Sequence, residues 1–257
     1  MNKNRLEAFN NFKLPTSSLK YFPLLFFCFS FMCCHHKQRN GTAFGNNYLS
    51  DTILLHNGDI IFQDLDCGDL CDAIEQVTQG INGAKLSHVG IVMIDSLHQT
   101  FVIEAYGDVK KTPITVFLNR IKTADGKPKV LVGRLKPMFQ SLADKAVRAA
   151  QSFIGMPYDD AFLPNNQKYY CSELLYDCFK KANNDTAFFS LQPMTFKDPT
   201  THQYLKTWVD YYHKMNLPIP ENVAGINPGV ISRSNKIDIL KLWGDVSGYE
   251  SDNFKHS

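Results

Sequence analysis

The chain has 257 residues, a formal net charge of +2, 44% hydrophobic residues and 20% charged ones. That composition suits a globular fold with a sizeable core, and a near-neutral balance gives no support for nucleic-acid binding or a strongly acidic partner. No apolar run reaches the roughly 18–20 residues that a membrane span needs, and no internal repeat is visible.

The N-terminus reads as a targeting segment. Lys3, Arg5, Lys13 and Lys20 precede the apolar stretch YFPLLFFCFSFM, and Cys33 and Cys34 follow it. A basic, then apolar, then cysteine order resembles a bacterial lipoprotein signal, and Cys34, preceded by the fairly small Cys33, is the expected lipidated residue. A plain secretory signal or an uncleaved anchor is the alternative. The expected organisation is a signal peptide over 1–34, a polar Gly/Asn-rich tether over 35–52, and one folded domain over 53–257. Export to a bacterial cell envelope, anchored at the membrane by lipid, follows as the expected location.

In the folded part, Asn57-Gly58 marks a turn before a short strand through Ile60, Ile61 and Phe62. Asp69 or Asp72 caps a helix over 73–79 that ends at Gly80. Cys67 and Cys71 form either a local disulfide or a pair of unpaired core thiols. They do not read as a zinc site, since no second cysteine or histidine pair completes four ligands. LSHVGIVMI (86–94) is a buried strand, and TFVIEAYG (100–107) forms a hairpin with it. VKKTPITVFLN reads as an edge strand, with Pro113 excluding a central position, and KVLVGRL (129–135) as another strand.

A helix over 141–154 takes Ser141 as its cap, with Asp144 at capping-box spacing and an apolar face of Leu142, Ala146, Ala149, Ala150 and Phe153; Gly155 stops it. CSELLYDCFKKA (171–182) is a helix with Leu174, Leu175, Cys178 and Phe179 inward and two lysines in its last turn, where they suit the helix dipole. Cys178 reads as buried filler. The 200–214 segment is a further helix, Pro228-Gly229 a turn, and 237–243 a last strand. Strands in a meander, with helices segregated before and after, indicate α+β.

Cys171 starts the 171–182 helix. A free thiol, with a pKa of about 8.5, is mostly protonated at neutral pH, and a helix N-terminus or a neighbouring imidazolium lowers that value. The unpaired amides of a helix start can also hold an oxyanion. Of eight histidines, His88 alone leads a buried strand. Glu104 lies in FVIEAY, apolar on both sides, where a carboxylate is costly unless paired. Pairing His88 with Glu104 across the hairpin satisfies both and selects the tautomer that accepts the thiol proton. Taken singly, each of the three is also an ordinary core or paired residue; together they form a candidate nucleophile, base and orienting acid.

GDIIFQ, the DAIEQVTQ helix, SHVGIV, VIEA, the GMPYD loop and YCSELL, in that order, resemble the YiiX/YebB-like branch of the NlpC superfamily, which are permuted papain-fold cysteine hydrolases. The resemblance covers about residues 57–182. It implies a circularly permuted papain-like fold, an antiparallel sheet or half-barrel packed against helices. It places the family's cysteine on Cys171, its histidine on His88 and its acidic residue on Glu104. Related enzymes put a tyrosine near the oxyanion, and Tyr158 matches that position, with an aromatic lid over the core as the equal alternative. Tyr170 is closer in sequence to the cysteine. The implied activity is amide cleavage through a thioester on Cys171, without metal or organic cofactor. Three readings of its role remain open. The first is a cell-wall peptide amidase or peptidase acting on peptidoglycan. The second is a lipid acyl or ester hydrolase or acyltransferase, with 200–220 either walling an acyl groove or, as the favoured reading, packing in the core. The third is a non-catalytic envelope binding module.

Overall fold

The computed structural model describes residues 54–240 and 246–250. The expected signal peptide, Cys33, Cys34 and the tether lie outside the described residues. In chain order the strands and helices are β1 (Ile60–Gln63), α1 (Asp69–Val77), β2 (His88–Ile94), β3 (Thr100–Tyr106), β4 (Asp108–Pro113), α2 (Ile114–Asn119), β5 (Val130–Leu135), α3 (Ala143–Ser152), α4 (Cys171–Ala182), β6 (Gln192–Pro193), α5 (Lys206–Met215), β7 (Ala224–Gly225), α6 (Pro228–Ser232) and β8 (Ile237–Leu240). No helix among the described residues is long and apolar enough to cross a membrane.

Six strands form one antiparallel sheet in the order β4-β3-β2-β1-β5-β8. The first four strands make the expected meander, and β5 and β8 continue the sheet beyond β1. The IIFQ strand is therefore internal and buried at all four positions. Successive side chains alternate between the two faces. Ile60, Phe62, Val89, Ile91, Ile103 and Leu131 pack in the main core with α3 and α4, while Ile61, Val92, Val102, Val130 and Val132 pack under Phe117 of α2. A third apolar cluster, Ala73, Phe196, Trp208 and Tyr212, joins α1 to α5. The α+β expectation agrees with this architecture.

Four local expectations differ from the structure, and one alternative left open, at Cys67 and Cys71, is resolved by it. The helix placed at 73–79 starts earlier, at Asp69, so Asp69 and Asp72 occupy its first turn rather than its cap. Cys67 and Cys71 are joined as a disulfide around Gly68, whose φ of 83° favours glycine and turns the chain into the helix. ITVFLN is helical rather than part of the edge strand. Its β-branched residues favour a strand, but burying Phe117 completely against the sheet outweighs that preference. Ser141 lies in a 3-10 turn (Pro137–Leu142) and caps nothing, and Asp144 instead accepts a hydrogen bond from Asn57 Nδ2 at 2.7 Å. Pro228-Gly229 opens a short helix, capped by the Asn227 side chain, which accepts from the Val230 N–H at 2.8 Å.

Candidate active site

The helix that carries Cys171 has the bounds expected from its sequence. Leu174, Leu175, Cys178 and Phe179 are fully buried against the sheet and α3, which fixes the rotation of α4. Tyr170 is extended and starts the helix; the first intrahelical bond runs from Leu174 N–H to Tyr170 O at 3.0 Å. The amides of Cys171, Ser172 and Glu173 therefore have no partner within the helix. Two side chains clamp this first turn to the chain after β7: Ser172 Oγ donates to Ile226 O at 2.9 Å, and the Ile226 N–H donates to Tyr170 Oη at 3.3 Å. Burial, with Asp159 and Asp177 nearby, raises the Glu173 carboxyl to about 8.

Cys171 is a free, buried thiol. His88 begins β2, 4% exposed, with the Cys171 thiol near enough to influence its protonation. Its Nε2 lies 2.5 Å from Glu104 Oε2, which leaves Nδ1 as the nitrogen for the sulfur. Tyr106 and Phe117 flank the imidazole, with ring centroids at 5.8 and 6.0 Å. Burial pushes the imidazole down, but the neighbouring Cys171 and Glu104 outweigh it and raise His88 to about 9. The structure thus brings Cys171, His88 and Glu104 together.

The position of Glu104 follows from the strand period. Val102 packs under α2, and Glu104, two residues on, shares that face. Gly90 leaves the room it needs: a Cβ there would fall 2.4 Å from Val102 Cγ1 and 3.3 Å from Glu104 Cβ. Glu104 is fully buried and fully bonded. Besides His88, it accepts from Thr112 Oγ1 at 2.6 Å and from Arg120 at 2.9 Å (Nη1) and 2.6 Å (Nη2). Burial pushes its carboxyl up, but the bonds and charges of His88 and Arg120 prevail and hold it well below the usual carboxylate range. Arg120 and Thr112 were not legible as site residues. Arg120 follows a segment whose composition reads as strand, and only the α2 turn swings it over Glu104.

A small, partly open pocket of about 60 Å³ lies beside Cys171. Tyr158, half-buried, lines it, and the backbone of 157–159 is tied to Tyr169 just before the helix. Burial, then the neighbouring Cys171, Tyr211, Asp160 and Asp159, raises the Tyr158 phenol well above its ordinary value, so it stays a hydrogen-bond donor. Tyr170 lines the cavity too, with its hydroxyl engaged by Ile226. Phe162, Met194, Phe196 and Trp208 form the far wall, and no lining side chain is charged. In the 200–220 region, Trp208 and Tyr212 are core residues, and Trp208 also faces the cavity.

Residues 54–240 match the family described as permuted papain-like amidase enzyme, YaeF/YiiX, C92 family. The uncharacterized protein YiiX of Escherichia coli (strain K12) is 31% identical over 127 residues, a stretch that covers 49% of this chain and 57% of that relative. The chain thus spans little more than half the length of this curated relative. The crystal structure of the metalloprotein yiiX from Escherichia coli O157:H7 superposes with a TM-score of 0.59 at 22% identity, covering 73% of this chain and 97% of that one. That likeness is one of fold.

Proposed function

We propose that this chain, which belongs to the permuted papain-like amidase family, cleaves an amide through a thioester on Cys171, with His88 as base and acid and Glu104 as the group that orients it. The observation that carries the reading is the chain of contacts from the first residue of α4 through His88 to a fully bonded, buried carboxylate. His88 takes the Cys171 proton, and the sulfur attacks the carbonyl carbon. In this reading the amides of the helix start and the Tyr158 hydroxyl, which lines the same pocket, donate to the developing oxyanion. The C–N bond breaks as His88 returns the proton to the amine, and water then cleaves the thioester to a carboxylic acid and the free thiol.

The cavity favours one class of acyl group. Its walls are mostly apolar and aromatic, with neutral polar side chains such as Ser87, Ser172 and Asn227 among them, and a charged peptide stem would enter it without a counter-charge. An uncharged, apolar acyl amide therefore suits this lining better than the charged cell-wall peptide that the sequence alone also allows. The solved relative is titled a metalloprotein. Among the described residues here, no group of three or more His, Cys, Asp or Glu side chains is arranged to hold a metal ion. The Cys67–Cys71 disulfide supports an oxidising, exported setting, and the lipid anchor at Cys34 belongs to the same proposal.

Incubating the protein with a panel of long-chain N-acyl amides and muropeptides, with mass spectrometry of the trapped acyl-enzyme, tests the reading. The expected result is an acyl adduct on Cys171 from the long-chain amides and none in Cys171→Ala. Adducts from muropeptides alone would overturn the acyl assignment, and an absence of any adduct would favour a binding module.

A further inference from the structure

The carboxylate that holds His88 is itself held, and by a group outside the expected triad. Arg120 meets both Glu104 oxygens with its two terminal nitrogens, at 2.9 and 2.6 Å, a geometry that only a planar fork provides. The guanidinium lies over the Tyr106 ring at 4.1 Å and beside Phe117 at 5.1 Å. These are the same two rings that flank the His88 imidazole. Gln63 Oε1 takes a further Arg120 contact at 3.3 Å, and Gln63 is itself fixed by a 3.0 Å bond to Phe117 O. The side chain of Arg120 is 15% exposed.

We propose that Arg120 is a positioning residue of this site: it fixes the plane of the Glu104 carboxylate and offsets its charge, and thereby sets the pH at which His88 gives up its proton. The inference rests on the amidase reading above, since it concerns the same imidazole. The groups that face Glu104 from each packed element support it. β2 offers His88, the residue after α2 offers Arg120, β4 offers the neutral Thr112, and β1 offers the neutral Gln63 next to the guanidinium. Lys110, opposite Glu104 in register on β4, is turned to Asp108 at 3.0 Å with its side chain 39% exposed. Cys171 lies beyond His88. Among the described residues, Arg120 is thus the cation in contact with this carboxylate other than His88 itself.

Removing a positive charge makes every nearby protonation easier. Without Arg120, the carboxylate has its full charge available to hold the imidazolium, and Glu104 itself binds a proton more readily. An NMR titration of the His88 ring nitrogens and of the Glu104 carboxyl carbon reads both effects without a substrate. In Arg120→Met both midpoints are expected to move to higher pH, that of His88 by about one unit. Arg120→Lys keeps the charge, so the His88 midpoint stays near the wild-type value. Should Arg120→Met fail to fold, Arg120→Gln removes the charge while still donating to Glu104, and the same upward move is expected. An unchanged His88 midpoint in the neutral variants overturns the proposal. Iodoacetamide labelling of Cys171 in wild type and His88→Ala at pH 7 keeps the two claims apart. Labelling that ignores His88 sinks the amidase reading, whereas an unmoved His88 titration in the Arg120 variants sinks only the role of Arg120.

Discussion

The first turn of α4 and its middle, two turns on, make an instructive pair, since each carries a buried free cysteine. Cys178 is completely enclosed, and burial, followed by the adjacent Asp177, raises its thiol well above the ordinary value. Its N–H belongs to the helix ladder, and apolar side chains surround it. Cys171 is nearly as buried, at 6% exposed, but it lies where the helix amides are still unpaired, beside an imidazole and a cavity. Burial alone therefore keeps a thiol inert. In the proposed reading, a helix start, a proton acceptor and an open wall give the same side chain a chemistry.

The contrast is broken most severely by exchanging the two cysteines' fates. Cys171→Ala should lower turnover of an accepted acyl amide by about 10⁴-fold or more, while Cys178→Ala should keep it within several-fold, measured side by side on the same substrate. The orienting carboxylate comes next: Glu104→Gln keeps the shape but loses the charge that favours imidazolium, and should cost about 10²–10⁴-fold in turnover with folding retained by circular dichroism. Gly90→Ala sharpens the comparison from the sheet side. Its added methyl would press on Val102 and the Ile103 carbonyl under Glu104, and urea denaturation should show a loss of about 1–3 kcal/mol.

The smallest effect is in the pH dependence of stability. His88 is raised from about 6.5 to about 9, so its contribution is complete below pH 6.5 and is lost as pH rises through about 9. Glu104 is lowered, so its contribution is complete above its ordinary value near 4.5 and is lost as pH falls through its folded value. The gap in melting temperature between wild type and His88→Gln should therefore narrow between pH 7 and pH 10. A constant gap would remove the linkage assigned to His88.

The helix start and its cysteine were legible because helix amphipathicity is a local signal, and the α4 bounds agree with the structure. His88 and Glu104 were legible as costly polar residues within apolar strands, and the hairpin supplied their meeting. Arg120 was hidden by a conflict of scales. Ile114, Thr115 and Val116 favour a strand locally, and only the burial of Phe117 against a finished sheet makes the segment helical. The cap assigned to Ser141 failed for a related reason, because the long-range Asn57–Asp144 contact takes the side chain that the spacing reserved for a capping box. The cavity wall formed by Phe196 and Trp208 arises from the packing of α1 on α5 and leaves no trace in spacing along the chain.

One labelling measurement bears most directly on whether these parts act as a unit. Wild type and His88→Ala are treated with limiting iodoacetamide at pH 7, and the modified peptides are mapped over time. The account predicts that Cys171 is alkylated while Cys178 is spared, and that losing the imidazole slows the Cys171 reaction about tenfold or more. Equal Cys171 rates in the two proteins would contradict it, leaving a well-packed thiol beside a histidine that does not share its proton.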